Sequence, residues 1–534
     1  MIAPRNARGF RADAFAGRNA AVRTSLDIAA ILFLSLLAEC AHFSWKQGRH
    51  VICADSVQYV DGAEALLGKH ETAHFEFRKP GYSLILAGVY LLFGNMGWGA
   101  IALNHAFQAL LPLAAYGLGR NLHSRLGGWL AAVLLIARLQ AEYRSERIMS
   151  ETVYATMLTF AVLVFAAGLR RLQQPPFRCA AWFFIAGGLL GFAWLIRSVA
   201  VAVIAAAVLC LLWALRRAPI RAVNAIVCLS LPIVAFVLFE CTLNGGYADR
   251  FWPGTGTLGP ALLIRMRSFV GAPFPQTDTA QKCLSFLPDR EPEDAYLANK
   301  LDGWVAWHRA IHQGGMDAWQ IDALMKRAAL EMIRVQPGTY LGSMAGVFAR
   351  YALRQNGSSS LERVPSDRRQ LLMLPTDSVT NQDGQEPWYA HWALPKRTRE
   401  HSAAIVERMR TEAQTRAPFG EGAFWQTLRY WSMTPIVSDV FGLLRQLGSL
   451  WPGFALLGCG LLGLNRKTCS FLALAYFFDA CIVAATAFSD SDITRFQFIW
   501  VGIDTTLAAV LVFTLFQGVM LRAATFSRAD VRAA

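Results

Sequence analysis

The chain has 534 residues, of which 54% are hydrophobic and only 16% charged, and its formal net charge is +14. A soluble domain carries roughly 25% charged residues and spreads its apolar ones at amphipathic spacing, whereas here they gather in blocks about as long as a bilayer is thick. A soluble enzyme is excluded, and so is a nucleic-acid binder, because Lys and Arg fall between apolar blocks and not in one basic domain with stacking aromatics.

Apolar blocks lie near residues 26–44, 81–94, 99–119, 126–138, 152–168, 180–196, 198–215, 222–241, 448–464, 469–488 and 497–521. The second is only about 14 residues long and suits an interfacial or re-entrant helix better than a crossing. The basic residues agree with that choice, since Lys and Arg in short loops set orientation. With the N-terminal arginines inside and 81–94 not crossing, Arg120 and Arg125, then Arg170, Arg171 and Arg178, then Arg216, Arg217 and Arg221 all fall on the inner side. Seven crossings then end near Glu240 on the outer side. Residues 242–447 form a large external region, in which Pro337–Leu353 and Pro435–Leu450 read as amphipathic helices for the membrane surface and Gln355–Ser360 as a flexible connection. Three further crossings place Arg466 and Lys467 inside and the Ser489–Arg495 loop outside, about ten spans in all. The expected parts are a transmembrane module at 1–241, the external region at 242–447 and C-terminal spans at 448–534. The Leu37-Ala38-Glu39-Cys40 stretch faintly echoes a lipoprotein cleavage site, but Glu39 stands where a small residue is needed, so the first span is expected to be an uncleaved anchor.

The first external loop holds the most informative segment: Ala54-Asp55-Ser56-Val57-Gln58-Tyr59, then Phe77-Arg78-Lys79-Pro80-Gly81-Tyr82. It joins a carboxylate just after a span to a cationic pair just before the interfacial helix. A solvated loop with balanced charges would look the same by residue type alone. Downstream stand Met149-Ser150-Glu151-Thr152-Val153-Tyr154, Trp194-Leu195-Ile196-Arg197-Ser198, Ala329 to Tyr340, and Asp492-Ile493-Thr494-Arg495-Phe496.

In their order and common external face these segments resemble the GT-C superfamily of polyprenyl-phosphate-dependent glycosyltransferases, in the branch of protein O-mannosyltransferases and lipid A aminoarabinose transferases. Asp55, Tyr59 and the Arg78–Tyr82 segment match position by position, and Ser150-Glu151 is similar to the turn opening the family's fourth span. Phe496 stands where the family has Tyr, and residues 355–435 match nothing. The resemblance implies an all-α polytopic membrane protein with a seven-span module. It also implies inverting displacement at the anomeric carbon, with Glu151 as a second acid that orients the acceptor or Asp55. A helix N-terminal carboxylate is the plainer account of Glu151, and Glu142 and Glu146 are fallbacks for it. The branch implies no obligatory metal, although other GT-C relatives bind a divalent ion through such acids.

The chemistry also follows from location. No nucleotide sugar is supplied outside a bacterial inner membrane, so a donor must arrive on a lipid phosphate. A carboxylate then has to accept the proton of the attacking acceptor, and fixed cations have to stabilise the departing phosphate. Asp55 is the candidate base. Arg78, Lys79, Arg197 and Arg495 are candidate donor-phosphate ligands, Arg being suited by its planar fork, and Tyr59 and Tyr82 are candidates for positioning substrate. The expected partners are a lipid-linked sugar donor, an envelope acceptor (lipid, glycan or protein) and the membrane, with no nucleic acid.

Other signals carry less. Gly254-Thr255-Gly256-Thr257-Leu258-Gly259 fits G-x-G-x-x-G, but no strand precedes it and Pro260 follows at once, so a turn returning the chain to the membrane is the better account. His70/His74 and His308/His312 lack a third ligand, and the ten cysteines contain no C-x-x-C pair. Gly187 and Gly191 form a small-residue face for close helix packing. External tryptophans such as Trp304, Trp307, Trp319, Trp388 and Trp392 suit interfacial anchoring or sugar stacking. Asp479 and Asp504 inside late spans suit helix packing at least as well as proton coupling, and they are the coupling groups of the rival reading, a transporter or flippase for a lipid-linked glycan. That rival lacks an internal repeat or inverted pair of broken helices, and a non-catalytic membrane scaffold is a third possibility.

Overall fold

The computed structural model describes residues 22–40, 54–69, 71, 75, 78–142, 150–172, 176–247, 250–266, 276–286, 310, 314–352, 399–414 and parts of 502–513. Among these the chain is all helical, with no strand. In chain order the helices are α1 (residues 22–40), α2 (Ala54–Leu66), α3 (Pro80–Phe93), α4 (Met96–Leu122), α5 (Arg125–Glu142), α6 (Glu151–Arg170), α7 (Pro176–Ile196), α8 (Ala200–Ala214), α9 (Pro219–Tyr247), α10 (Leu258–Arg265) and α11 (Asp278–Leu284). Helices at Ala318–Val335, Pro337–Ala352 and Arg399–Gln414 follow.

Each of the seven apolar blocks read as crossings in the N-terminal half coincides with a helix. Among the described residues four stretches, Met96–Leu122, Glu151–Arg170, Cys179–Ile196 and Pro219–Tyr247, are long and apolar enough to cross a membrane. The short block is also a separate helix. Pro80 opens α3, where its missing N–H costs nothing, and Gly94 closes it in the left-handed region at φ 63°, its N–H bonded to the Tyr90 carbonyl. At 14 residues it is about 21 Å long, short of the roughly 30 Å hydrocarbon core. Asn95 then caps α4 by accepting from the Trp98 N–H at 2.8 Å, so the chain turns out of one helix directly into the next.

The main core runs through α2, α3, α4, α6, α7, α8 and α9 and includes Tyr59, Tyr82, Tyr154, Phe165, Phe183 and Leu229. Described residues near the C-terminus join it: Ile503, Leu507 and Val510 are buried there, and Arg138 donates to Thr505 Oγ1 at 3.1 Å. The glycine pair expected to permit close packing does so. A Cβ on Gly187 would lie 2.1 Å from the Leu229 carbonyl oxygen, and one on Gly191 would lie 3.1 Å from Ile233 Cα and 3.2 Å from the Pro232 oxygen. These atoms belong to the α9 backbone and have little room to yield. Gly187→Ala is therefore expected to cost about 1–3 kcal/mol by overpacking and to lower the melting temperature in detergent, while Gly188→Ala, where a Cβ meets nothing within 4 Å, leaves it unchanged. Equal melting of the two variants would refute this packing.

Outside the main core, α10, α11 and the Ala318–Val335 helix enclose a second cluster containing Leu262, Met266, Cys283, Ile321, Met325 and Met332. Asp317 starts that helix with a reciprocal capping box to Gln320. The glycine-rich turn at 254–259 is accounted for by this packing. Gly254 has φ +106°, a Cβ on Gly256 would press on the Ala318 oxygen at 2.8 Å, and one on Gly259 would meet the Asp322 oxygen at 2.2 Å. The Gly259 N–H donates to Asp322 Oδ1 at 2.6 Å. The amphipathic stretch read at Pro337–Leu353 is a helix over Pro337–Ala352. The stretches 355–360 and 435–450 and the blocks 448–464 and 469–488 lie outside the described residues.

Candidate active site

The first-loop helix α2 places its residues on two sides. Tyr59 points inward, its hydroxyl 2.9 Å from Ser150 Oγ and its ring 4.9 Å edge-on from that of Tyr82. The Tyr82 hydroxyl donates to Asn104 Oδ1 at 3.2 Å, and Ser83 Oγ donates to the Tyr59 carbonyl at 2.9 Å. These bonds satisfy buried polar groups at the junction of α2, α3, α4 and α6, which otherwise cost free energy. Asp55 is the second residue of α2, one turn before Tyr59.

Arg78 reaches the same helix. Its Nε donates to Gln58 Oε1 at 2.6 Å, and the guanidinium lies 6.0 Å from the centre of the Tyr59 ring. At the start of α6, Glu151 is buried and its Oε1 accepts from Arg197 Nη2 at 3.2 Å. The structure thus joins two expected site residues that are 46 positions apart. Thr152 and Tyr154 are also buried, and their hydroxyls have no hydrogen-bond partner among the described residues, which leaves them to a water or a polar substrate atom. Tyr154 adjoins the Ser-Glu pair in sequence, and that proximity was the only signal for it.

Lys79, expected at the donor phosphate, faces the interior. Its Nζ lies 2.5 Å from Glu240 Oε1 and 4.0 Å from the centre of the Trp194 ring, and its side chain is only 4% exposed. Burial lowers the Lys79 pKa, with Glu240 pulling the other way. Glu240, read from sequence only as the end of a span, is a residue that the apolar pattern around it concealed. Arg495 and Asp504 lie outside the described residues, as do Glu146, His70, His74, His308, His312, Trp388 and Trp392. Among the described residues no group of three or more His, Cys, Asp or Glu side chains is placed to hold a metal ion.

A helix that sequence motifs did not mark covers the outer side of α2. Arg408 of Arg399–Gln414 donates to Glu64 Oε1 at 2.6 Å, Lys69 meets the same oxygen at 2.9 Å, and His401 Nε2 lies 3.2 Å from Asp61 Oδ1. Glu412 Oε2 accepts the Met96 and Gly97 N–H groups at 3.0 and 2.8 Å, placing a carboxylate at the positive end of α4. Burial raises the pKa of Glu64, but bonds from Arg408 and Lys69 outweigh it and hold the carboxyl below its ordinary range. A lowered pKa in the folded state gives stability that is present above the unfolded value, about 4.3, and is lost as pH falls through the folded one. Hydrogen-exchange protection of residues 399–414 is therefore expected to fall as the pH drops below the ordinary glutamate range. Protection, after correction for intrinsic exchange, that stays unchanged down to pH 3 would contradict the pairing.

Residues 78–242 match the family model described as dolichyl-phosphate-mannose-protein mannosyltransferase. The matched segment opens on Arg78, contains Glu151 and Arg197 and closes just past Glu240. It covers less than a third of the chain and leaves Asp55 and Tyr59 outside. The match accords with the resemblance to polyprenyl-phosphate-dependent glycosyltransferases of the GT-C superfamily. No curated protein matches the chain. Among solved structures, the apo oligosaccharyltransferase of Archaeoglobus fulgidus is similar at 11% identity and a TM-score of 0.39, over 94% of this chain and 52% of that one. ArnT from Cupriavidus metallidurans bound to undecaprenyl phosphate is similar at 11% identity and a TM-score of 0.35, over 89% of this chain and 77% of that one. The chain therefore spans about half the length of the archaeal enzyme.

Proposed function

We propose that the chain is a multi-pass membrane glycosyltransferase that moves one sugar from a polyprenyl-phosphate-linked donor to an acceptor on the external, periplasmic face of a bacterial inner membrane. The observation that carries this reading is the convergence of the helix bearing Asp55 and Tyr59, the Arg78 segment, the Ser150–Glu151 turn and Arg197, the last three lying within the segment that matches the mannosyltransferase family.

In this reading Asp55 takes the proton from the acceptor's nucleophilic atom as that atom attacks the anomeric carbon. A new bond forms there with inversion, the bond from carbon to phosphate oxygen breaks, and the lipid phosphate departs with the bonding electrons. Arg78, Arg197 and Arg495 stabilise the charge that gathers on the phosphate. Glu151 holds Arg197 and orients the acceptor, and Tyr59 and Tyr82 shape the wall between them. The parts are 1–241 as the transmembrane module, 242–447 as the external region and 448–534 as the C-terminal spans.

Supplying detergent-purified protein with a panel of polyprenyl-phosphate sugars and cell-envelope acceptors, and reading the products by mass spectrometry, tests the proposal. A glycosylated acceptor is the expected product. Transfer is also expected to continue in excess EDTA, and loss of product restored by a divalent ion would show a metal requirement. The rival transport reading rests on Asp479 and Asp504. An ion-gradient-dependent movement of lipid-linked glycan in liposomes, without any product in detergent, would favour it.

A further inference from the structure

Glu240 lies about two turns before the end of α9 and is fully buried. Its carboxylate accepts three hydrogen bonds, from Lys79 Nζ at 2.5 Å, from Trp194 Nε1 at 2.7 Å and from the Gly254 N–H at 2.9 Å. A carboxylate stripped of water is expensive unless its acceptor sites are satisfied, and here donors from three separate elements occupy three of the roughly four. Lys79 follows Arg78 and immediately precedes α3. Trp194 lies in the last turn of α7, three residues before Arg197, and Gly254 opens the glycine-rich turn toward α10.

The same junction is tight by another measure. A Cβ on Gly81 would fall 2.6 Å from the Leu195 carbonyl carbon and 2.8 Å from the Ile196 nitrogen, so the first turn of α3 rests on the end of α7. The Lys79 ammonium sits over the Trp194 ring at 4.0 Å, inside the favourable range for a cation on an aromatic face. A donor phosphate reaching Lys79 would meet an ammonium already paired with Glu240 and seated on the Trp194 ring.

We infer that Glu240 is a positioning residue of the proposed site, with Lys79 as its buried counter-ion: through Lys79 it fixes Arg78, and through Trp194 it fixes Arg197. The inference rests on the transferase reading for the role of those two arginines, and it moves Lys79 from the donor phosphate to the support beneath it. Breaking a buried pair from one side strands a charge, whereas removing both charges together relieves it. A phosphate ligand would show no such relief.

The test is a double-mutant cycle of Lys79→Met, Glu240→Gln and the two combined, in full-length protein purified in detergent. Melting temperature reads the pair without reference to any reaction, and undecaprenyl phosphate is the binding probe for the arginines. Each single variant is expected to melt earlier and to weaken undecaprenyl-phosphate binding by about tenfold, and the double variant is expected to recover most of both losses. Additive melting losses would overturn the pair. Recovery of melting with binding still as weak as in Lys79→Met would make Lys79 a phosphate ligand and overturn the assignment, and unchanged binding in Glu240→Gln would overturn the positioning role. Failure of the wild type to transfer sugar, while it binds undecaprenyl phosphate and the cycle behaves as described, would count against the transferase reading alone.

Discussion

Asp55→Asn is expected to lower turnover by about 10²–10⁴-fold, the usual worth of a positioned general base, without changing the melting temperature. The substitution keeps the size of the side chain and a hydrogen-bonding group but cannot accept the acceptor's proton. Asp55 stands in the first turn of α2, the end of a helix at which a negative charge is favoured. The loss should fall on turnover with a panel donor while donor KM changes little, since the base acts on the acceptor side. Wild-type turnover in a folded Asp55→Asn protein would remove Asp55 from the mechanism.

Arg197→Met is expected to have two separable consequences. Arg197 faces Glu151 across 3.2 Å, with side chains 11% and 4% exposed. Taking the cation away leaves a buried carboxylate without it, a change worth about 3–5 kcal/mol in comparable sites, so melting should fall markedly. Adding Glu151→Gln should restore most of that stability. It should not restore turnover, because the proposed contact of Arg197 with the donor phosphate is still missing. Arg197→Lys keeps the charge but loses the fork of donors, and should raise donor KM more than it lowers melting. A double variant that regains both stability and wild-type turnover would confine Arg197 to a structural role.

The helices were largely legible because burial in lipid writes itself as long apolar runs, and α4, α6, α7 and α9 lie where those runs do. The short run before Gly94 was legible as a separate helix for the same reason. Gly187 and Gly191 were legible because small residues four apart have one main use in a span. The polar contacts were harder. Lys79 and Glu240 are 161 positions apart and Glu64 and Arg408 are 344 apart, so no local periodicity reports them. Lys79 beside Arg78 looked like half of a cationic pair, when the chain turning into α3 sends the two side chains to different partners. The Arg399–Gln414 helix is mostly polar and its outer charges resemble any solvated helix, so its docking on α2 left no trace in composition.

That docking bears on the order in which the molecule is made. A ribosome delivers α2 and the start of α4 early, but the carboxylate that caps α4 through Met96 arrives 316 residues later. Until then Asp61 and Glu64 lack the partners that His401 and Arg408 bring, and closing so long a span of chain is slow compared with packing neighbouring helices. Completion of the packing around α2 thus belongs to a late stage of biogenesis, after residues 399–414 have been made. A protein stalled before residue 399 would hold its early helices in the membrane with the Asp55 helix still uncovered, so the candidate base would be built early and put in order late.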